Sequence, residues 1–310
     1  MPPAKRLPDV SIFLELRQGC GYGASMVDHP ETPLISVIIP THNRSWILAE
    51  AIDSVLAQEG CEVELIVVDD GSTDDTPSLL TAYGDRLKVI RQENHGVSAA
   101  RNAGIRRSSG GLVALLDSDD RWLPGKLAAQ AAFFTRRPDA MICQTQEIWI
   151  RNGVRVNPRE RHRKPSGMIF EASLHLCLVS PSAVMMRRHL FDIVGLFDES
   201  LTACEDYDLW LRVACRFPVH LIDAPLVVKH GGHPDQLSRM PGLDRFRIAS
   251  IVKCLEKSPL TPRQRKAAID VLRKKCRIYG QGCLKRGRHE EAPYYLDLPR
   301  RYAVKPSVPE

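Results

Sequence analysis

Three carboxylates lie within four positions of the sequence, Asp117, Asp119 and Asp120, directly after the apolar residues 112–116. Five apolar residues in succession predict a short strand that is covered on both faces of a sheet. Carboxylates this close repel one another, so the cluster indicates a ligand that offsets their charge. A divalent cation, Mg2+ or Mn2+, is the usual one, because it takes hard oxygen ligands and shares them with substrate phosphates. A solvated acidic turn is the alternative for this segment taken alone.

Other polar groups follow earlier apolar runs in the same way. Residues 35–39 predict a first strand that ends in Pro40-Thr41-His42-Asn43, residues 64–69 predict a second, and residues 87–90 a third. Helices are expected between them, so strands and helices alternate, which predicts an α/β fold with a mostly parallel sheet flanked by helices. Ligands bind such sheets beyond the carboxyl ends of the strands. The side chains expected to converge there are Thr41, Asp69, Asp70, Asp117 and Asp119.

The helices have sequence signals of their own. The first is expected to begin with Ser45 as N-cap and to bury Trp46 along with residues 49, 52, 55 and 56. A later helix should begin at Glu205-Asp206, where acidic residues complement the helix dipole. From residue 243 onward the chain predicts helices, broken at 258–259 and at the glycine-rich residues 280–282.

Composition narrows the class of protein. The 310 residues are 44% hydrophobic and 26% charged, typical of a soluble globular protein, and no apolar run approaches the roughly 18 residues that span a bilayer. The first 33 residues lack the apolar core of a signal peptide and predict a poorly ordered extension, in which Met26 is an alternative start. Nine scattered cysteines without a CxxC pair favour free thiols in a reducing cytoplasm over a zinc site or disulfides.

Five segments, in order, resemble the family 2 glycosyltransferases of GT-A fold over roughly residues 34–240. They are SVIIPTHNR at 36–44, VVDDGSTDDT at 67–76, NHGVSAARNAGI at 94–105, LLDSDDRWLPGKL at 115–127 and CEDYDLWLR at 204–212. The resemblance implies inverting transfer of a hexosyl group from a nucleotide-diphosphate sugar, with a UDP-sugar expected and with Mn2+ or Mg2+ as cofactor. The QxxRW pattern of processive members is absent, which favours a single addition. The domains expected are an extension over 1–33, the transferase domain over 34–240 and a helical extension over 241–310.

The same resemblance suggests which residues bind the donor and the metal. Asp119 is the first candidate for metal ligation, Asp117 is expected on the ribose or a metal-bound water, and Asp120 is a weaker candidate. His233 could reach the metal or the diphosphate, and His230 is a weaker candidate for the same contact. The fixed cationic fork of Arg101 suits a diphosphate or an aspartate of the site. The nucleotide pocket is expected to comprise Pro40, Thr41, Asn43, Asp69, Asp70 and Ser118 as well.

The acceptor hydroxyl needs a general base, which the resemblance assigns to the pair Glu205-Asp206. Two adjacent helix residues point about 100° apart, so both cannot face the acceptor equally. Asp206 is preferred over Glu205. The acceptor is expected to be a glycan, a lipid-linked molecule or another hydroxyl compound, as in polysaccharide biosynthesis, and no nucleic-acid partner is expected.

Residues 241–310 carry 17 Lys and Arg against 7 Asp and Glu, a local charge of +10, and the remainder of the chain carries −4. Such a segment could contact the anionic inner face of a membrane peripherally. A solvated helical surface that packs its apolar side on the catalytic domain is the alternative. The basic side chains expected to share a face include Lys274, Lys275, Arg277, Lys285, Arg286 and Arg288.

Two other enzyme classes fit poorly. Haloacid-dehalogenase-like phosphatases also place DxD after a buried strand, but they need Thr or Val where this chain has Arg121. A nicotinamide dehydrogenase would need GxGxxG after the first strand, where PTHNR stands. A nucleotide-sugar-binding module that does not catalyse remains open as the alternative. The donor sugar, the nucleobase, the linkage and the acceptor are not determined by these patterns.

Overall fold

The computed structural model describes residues 33–157, 159–232, 236 and 240–302. The extension predicted over 1–33 therefore lies almost wholly outside the described residues. The described part contains one mixed sheet, with helices on both of its faces. The strands are β1 (Ile35–Thr41), β2 (Val63–Asp70), β3 (Lys88–Gln92), β4 (Leu112–Leu115), β5 (Arg121–Trp122), β6 (Ile142–Arg151), β7 (Val154–Val156), β8 (Val184–Arg187) and β9 (His220–Gly231).

The strand order in the sheet is β3-β2-β1-β4-β8-β6-β9-β5, with β7 paired to β6. The first four strands are parallel, and β1 lies between β2 and β4 with Ile38 opposite both Ile66 and Leu115. Consequently the chain leaves β1, β2 and β4 at one edge of the sheet. Beyond β4 the sheet becomes mixed, because β8 pairs antiparallel with β4 and with β6. The α/β fold class and the parallel first half are confirmed.

The α-helices are α1 (Leu48–Leu56), α2 (Thr76–Ala82), α3 (Val97–Arg107), α4 (Lys126–Arg136), α5 (Phe170–Ser173), α6 (Leu190–Val194), α7 (Glu205–Ala214), α8 (Asp244–Lys257), α9 (Pro262–Lys285) and α10 (Ala292–Asp297). None of the helices in the described residues is long and apolar enough to cross a bilayer.

Two apolar cores lie on the two faces of the sheet, because side chains alternate along each strand. Val37 and Ile39 of β1 face one core with α1, α2 and α4, whereas Ile38 faces the other with α3 and the helices α5–α10. The second core joins α7 to α8 and α9: Trp210 of α7 is 1% exposed and belongs to the same cluster as Ile251 of α8.

Two predictions about helices are wrong. Helix α1 begins after Ile47, and two residues that were expected to be buried are exposed, Trp46 at 57% and Leu56 at 37%. The Ser45 hydroxyl donates to Asp74 Oδ2 at 2.8 Å instead of capping the helix, and ties this turn to the segment after β2. Helix α9 continues through residues 280–282 instead of breaking. A Cβ at Gly280 would lie 2.9 Å from Leu296, so glycine here allows α10 to pack closely on α9.

Candidate active site

A cavity of about 500 Å3 lies beyond the carboxyl ends of β1, β2 and β4. Three groups of the described residues line it, one from the parallel strands and α3, one from the acidic segment after β4, and one from α7, β9 and α8. The lining residues that sequence reasoning singled out are Pro40, Thr41, Asp70, Arg101, Asp117, Ser118, Asp119, Asp120, Glu205, Asp206 and His230.

The first wall contains a buried hydroxyl without a partner. Thr41 is 3% exposed, and no described group hydrogen-bonds to its Oγ1. Buried polar groups are normally satisfied, so this hydroxyl is available to hydrogen-bond to a molecule in the cavity. Pro40 lies beside it on β1, and Ser118 lines the cavity from the acidic segment.

Two residues of the predicted nucleotide pocket do not line the cavity in the part of the chain that the structure describes. Asn43 has a left-handed backbone, with φ of 52°, and its Oδ1 accepts the amide of Thr73 at 2.8 Å. Asp69 Oδ1 accepts the amide of Ser72 at 3.0 Å. Both side chains hold the loop that follows β2, so their roles in the structure are to support the wall.

Asp70 lines the cavity, but its carboxylate is also occupied by the protein. Oδ1 accepts Gln92 Nε2 at 2.7 Å and the His95 amide at 3.0 Å, and Oδ2 accepts the Gly96 amide at 2.8 Å. These bonds fix the segment that leads into α3, the helix that carries Arg101. Asp70 thus connects the first wall to the charged centre of the cavity.

The three aspartates of the acidic segment have different surroundings. Asp117 Oδ1 accepts Arg101 Nη2 at 2.7 Å. Asp120 is 2% exposed, and its oxygens accept the Ser182 hydroxyl at 2.6 Å and the His230 amide at 3.0 Å. Asp120 therefore anchors β9 to this segment. Asp119, half-buried, is left to face the cavity beside Asp117.

Of the two candidate histidines near the glycine-rich loop, His230 is among the described residues and His233 is not. His230 lines the cavity, and its Nδ1 lies 3.0 Å from the backbone oxygen of Asp119. An imidazole that donates through Nδ1 keeps Nε2 as a lone-pair donor, the usual arrangement of a metal-ligating histidine. His233, the preferred candidate from sequence, lies outside the described residues.

A divalent cation fits these groups, although no set of three His, Cys, Asp or Glu side chains in the described residues is already arranged to hold one. Burial and the neighbouring charge of Asp117 both raise the pKa of Asp119. The two carboxylates therefore repel each other in the protein alone, and a cation between them would relieve that repulsion. Oxygen ligands of this kind suit Mg2+ or Mn2+.

Arg101 joins the acidic segment to α7. It is 3% exposed, and its guanidinium donates through Nη1 to Glu205 Oε1 at 2.6 Å and through Nη2 to Asp117 Oδ1 at 2.7 Å. The sequence suggested that Arg101 binds either a diphosphate or an aspartate of the site, and in the structure it binds carboxylates of the site. Breaking a buried pair of this kind costs about 3–5 kcal/mol, so this contact fixes α7 against the acidic segment.

Glu205 and Asp206 are placed differently, as expected for adjacent residues of a helix. Glu205 is 5% exposed and its carboxylate is engaged by Arg101. Asp206 is half-buried and lines the cavity; its Oδ2 accepts the Cys177 thiol at 3.4 Å and its Oδ1 accepts the Tyr207 amide at 2.6 Å. Asp206 is thus the more accessible carboxylate of the pair.

Sequence reasoning missed several residues that line the cavity, among them Cys177, Lys229 and Arg247. Burial alone would lower the pKa of Lys229, but the surrounding carboxylates, with Asp120 the strongest contributor, raise it. Lys229 precedes His230 at the end of β9. Its position next to the glycine-rich loop was the only sequence feature that could have marked it as a site residue.

The sequence is similar to those of known glycosyltransferases. The sequence model of Glycosyl transferase family 2 matches residues 36–194. An uncharacterized glycosyltransferase of Rickettsia felis is 30% identical over 67% of this chain, which spans only 35% of that relative. TuaG of Bacillus subtilis, a glycosyltransferase whose name assigns it to teichuronic acid biosynthesis, is 33% identical over 58% of this chain and 72% of its own.

Solved structures show the same fold. TarS of S. aureus (residues 1–349) in complex with UDP-GlcNAc superposes with a TM-score of 0.66 at 20% identity, over 86% of this chain and 79% of TarS. The mannosyltransferase PcManGT of Pyrobaculum calidifontis, in complex with GDP-Man and Mn2+, gives a TM-score of 0.55 at 19% identity, over 88% of this chain and 83% of its own. The fold is that of the GT-A glycosyltransferases. With a family match over more than half of its length, the chain belongs to glycosyl transferase family 2.

Proposed function

We propose that this glycosyltransferase moves one hexosyl residue from a nucleotide-diphosphate sugar to a hydroxyl acceptor, with inversion and with the help of a divalent cation. The observation that carries the proposal is the bridge made by Arg101. One buried guanidinium holds Asp117, beside the candidate metal ligand Asp119, and Glu205, beside the candidate base Asp206. A candidate metal ligand and a candidate base are thereby held at a single cavity, as the proposed reaction requires.

The donor would lie along the first wall. Its base and ribose would be placed against Pro40, Thr41 and Asp70, and the orphaned Thr41 hydroxyl would gain a partner. Structures of similar fold contain UDP-GlcNAc or GDP-Man, which supports a nucleotide sugar as donor class. A UDP-sugar is the first donor to test.

Asp119, Asp117 and His230 would hold the cation. When bound, it supplies a Lewis acid that stabilises the leaving diphosphate. The positively charged Arg101 and Lys229 lie in the same cavity and would add to the electrostatic stabilisation of that leaving group.

Asp206 would act as general base. It takes the proton of the acceptor hydroxyl while the oxygen attacks the anomeric carbon from the face opposite the diphosphate, and the bond from that carbon to the phosphate oxygen breaks. A single displacement inverts the anomeric configuration. Glu205 would position the site through Arg101, because its carboxylate is already engaged.

A screen of nucleotide sugars tests this proposal. We expect one nucleotide class to raise the melting temperature only when Mn2+ or Mg2+ is present, and the same sugar nucleotide to release its nucleoside diphosphate when the enzyme turns over. Stabilisation without release, with or without added hydroxyl acceptors, would identify a binding module that does not catalyse. Metal-dependent release of phosphate from phosphorylated substrates, without sugar transfer, would instead identify a phosphatase.

The acceptor is proposed to be a glycan or a lipid-linked molecule. A lipid-linked acceptor would require contact with a membrane, and one surface of the protein favours such peripheral contact. The exposed side of α9 carries two apolar side chains, Ile278 at 51% and Leu284 at 42% exposed, among basic residues. Val271 to Arg288 contains no acidic residue. Apolar groups within a basic helical face suit the interface of an anionic bilayer. The exposed basic residues of this face are Arg273, Lys274, Arg277 and Lys285.

We expect the protein to sediment with phosphatidylglycerol vesicles at low salt and to be released as salt is raised, because each basic residue near an anionic surface contributes about 1 kcal/mol within a Debye length. The double variant Lys274→Glu/Arg277→Glu should lose the binding. Its matched control is Arg136→Glu/Arg137→Glu, an equal change of charge at the exposed end of α4, on the other face of the sheet. Equal loss in both variants, or binding that ignores salt, would contradict a specific contact through α9.

A further inference from the structure

The wall of the cavity beyond the candidate base contains a cation that the proposed chemistry does not use. Leu243 and Arg247, at the beginning of α8, line the cavity together with Cys204 and Tyr207, which flank Glu205 and Asp206 in the sequence. Arg247 therefore borders the same space as Asp206, on an element separate from the nucleotide wall of β1 and β2. A group bound there would lie on the base side of the cavity.

Arg247 shares its nearest carboxylate with a second cation. Arg247 Nη1 lies 3.2 Å from Asp244 Oδ1, and Lys275 Nζ lies 3.3 Å from the same oxygen. Two cations thus share one carboxylate, so Asp244 satisfies only part of the hydrogen-bonding capacity of the guanidinium. The Nε of Arg247 is buried and has no hydrogen-bond partner among the described residues. A buried donor without a partner is costly, so the position is suited to an anionic or polar ligand.

The chemistry of arginine limits the chemical class of ligand that this position would bind. Its planar guanidinium is always charged and presents several N–H groups in a fixed plane, a geometry that matches the oxygens of a phosphate or a carboxylate. A neutral sugar hydroxyl would gain less, because hydrogen bonds between charged partners are about twice as strong as neutral ones.

We propose that Arg247 binds an anionic group, a phosphate or a carboxylate, on the acceptor and so selects an acidic acceptor. The inference rests on the proposed function, because it takes the group next to Asp206 to be the acceptor. In this view α8 belongs to the acceptor site, and Asp244, which also binds Lys275, holds the guanidinium in place.

Phosphate binding provides the first test. Melting temperature would be followed as sodium phosphate replaces sodium chloride at constant ionic strength, first without nucleotide and then with saturating UDP and Mg2+. The variants are Arg247→Gln, Arg247→Lys and the control Arg245→Gln, which removes an exposed arginine of the same helix that does not line the described cavity. We expect phosphate to stabilise the wild type and the control, Arg247→Gln to need roughly ten- to hundred-fold more phosphate, and Arg247→Lys to be intermediate.

Transfer assays provide the second test and separate the two kinds of anion. Glycerol would be compared with glycerol 3-phosphate, and methyl glucoside with methyl glucuronoside. We expect an anionic member to be preferred at least ten-fold in kcat/KM. Arg247→Gln should remove that preference through KM, whereas the control Arg245→Gln should keep it.

Equal phosphate response in Arg247→Gln and Arg245→Gln would overturn the inference, as would phosphate binding that disappears when UDP is added, since Arg247 would then serve the donor diphosphate. A preference for neutral acceptors in the wild type would do the same. Failure of the proposed function has another signature, namely Arg247-dependent phosphate binding in a protein that neither binds nor turns over any nucleotide sugar.

Discussion

Asp206→Asn is expected to lower turnover by roughly 10^2–10^4-fold, the usual size of a general-base contribution, and to leave the affinity for the donor unchanged. The amide nearly matches the carboxylate in shape but cannot accept the proton of the acceptor hydroxyl. Donor binding would be followed by thermal shift, and turnover by release of the nucleoside diphosphate under single-turnover conditions.

Asp192→Asn is the matched control, since Asp192 is an exposed carboxylate of α6 that does not line the described cavity. Glu205→Gln should behave differently from both. It weakens the buried contact to Arg101, so we expect a lower melting temperature and weaker donor binding. An active Asp206→Asn together with a stable but inactive Glu205→Gln would assign the base to Glu205.

Asp119→Ala is expected to abolish the stabilisation that a nucleoside diphosphate gives in the presence of Mn2+. A ligand at one hundred times its dissociation constant stabilises the folded state by about 2.7 kcal/mol, and this contribution should disappear from the thermal shift. The fold itself should persist, because the variant removes a carboxylate whose charge is disfavoured by burial and by Asp117.

Asp139→Ala serves as control, an exposed aspartate that does not line the described cavity. Comparison with Asp120→Ala separates metal binding from folding. Asp120 accepts hydrogen bonds from Ser182 and His230, so its loss should lower the melting temperature even without nucleotide. If Asp119→Ala binds the diphosphate with Mn2+ as well as the wild type does, another residue holds the cation.

The sequence predicted the parts of the site that depend on strand ends. Buried parallel strands are recognisable as apolar runs, and their carboxyl ends meet at one edge, so Thr41, Asp70 and Asp119 could be placed near one another before the structure was known. The α/β fold class followed from the same alternation and is confirmed. The roles assigned to these residues remain predictions.

What the sequence could not supply were contacts between distant segments. Arg101 and Glu205 are 104 positions apart, and Asp120 and His230 are 110 positions apart. Three neighbouring aspartates look alike in the sequence, and only the packing of β9 and of the segment before β8 distinguishes the buried Asp120 from Asp119. Arg247 could not be identified as a site residue from the sequence, because its helix was predicted to belong to a separate basic extension over 241–310.

The two cores of the sheet have a consequence for the order in which the chain can fold during synthesis. The core that packs α1, α2 and α4 against the sheet is made of described residues no later than Val227. The core beneath α7 includes residues of α8, α9 and α10 and extends to Leu298. The core around α1, α2 and α4 therefore contains no described residue of α8, α9 or α10 and can pack before those helices are made. The core beneath α7 can be completed only after they have emerged.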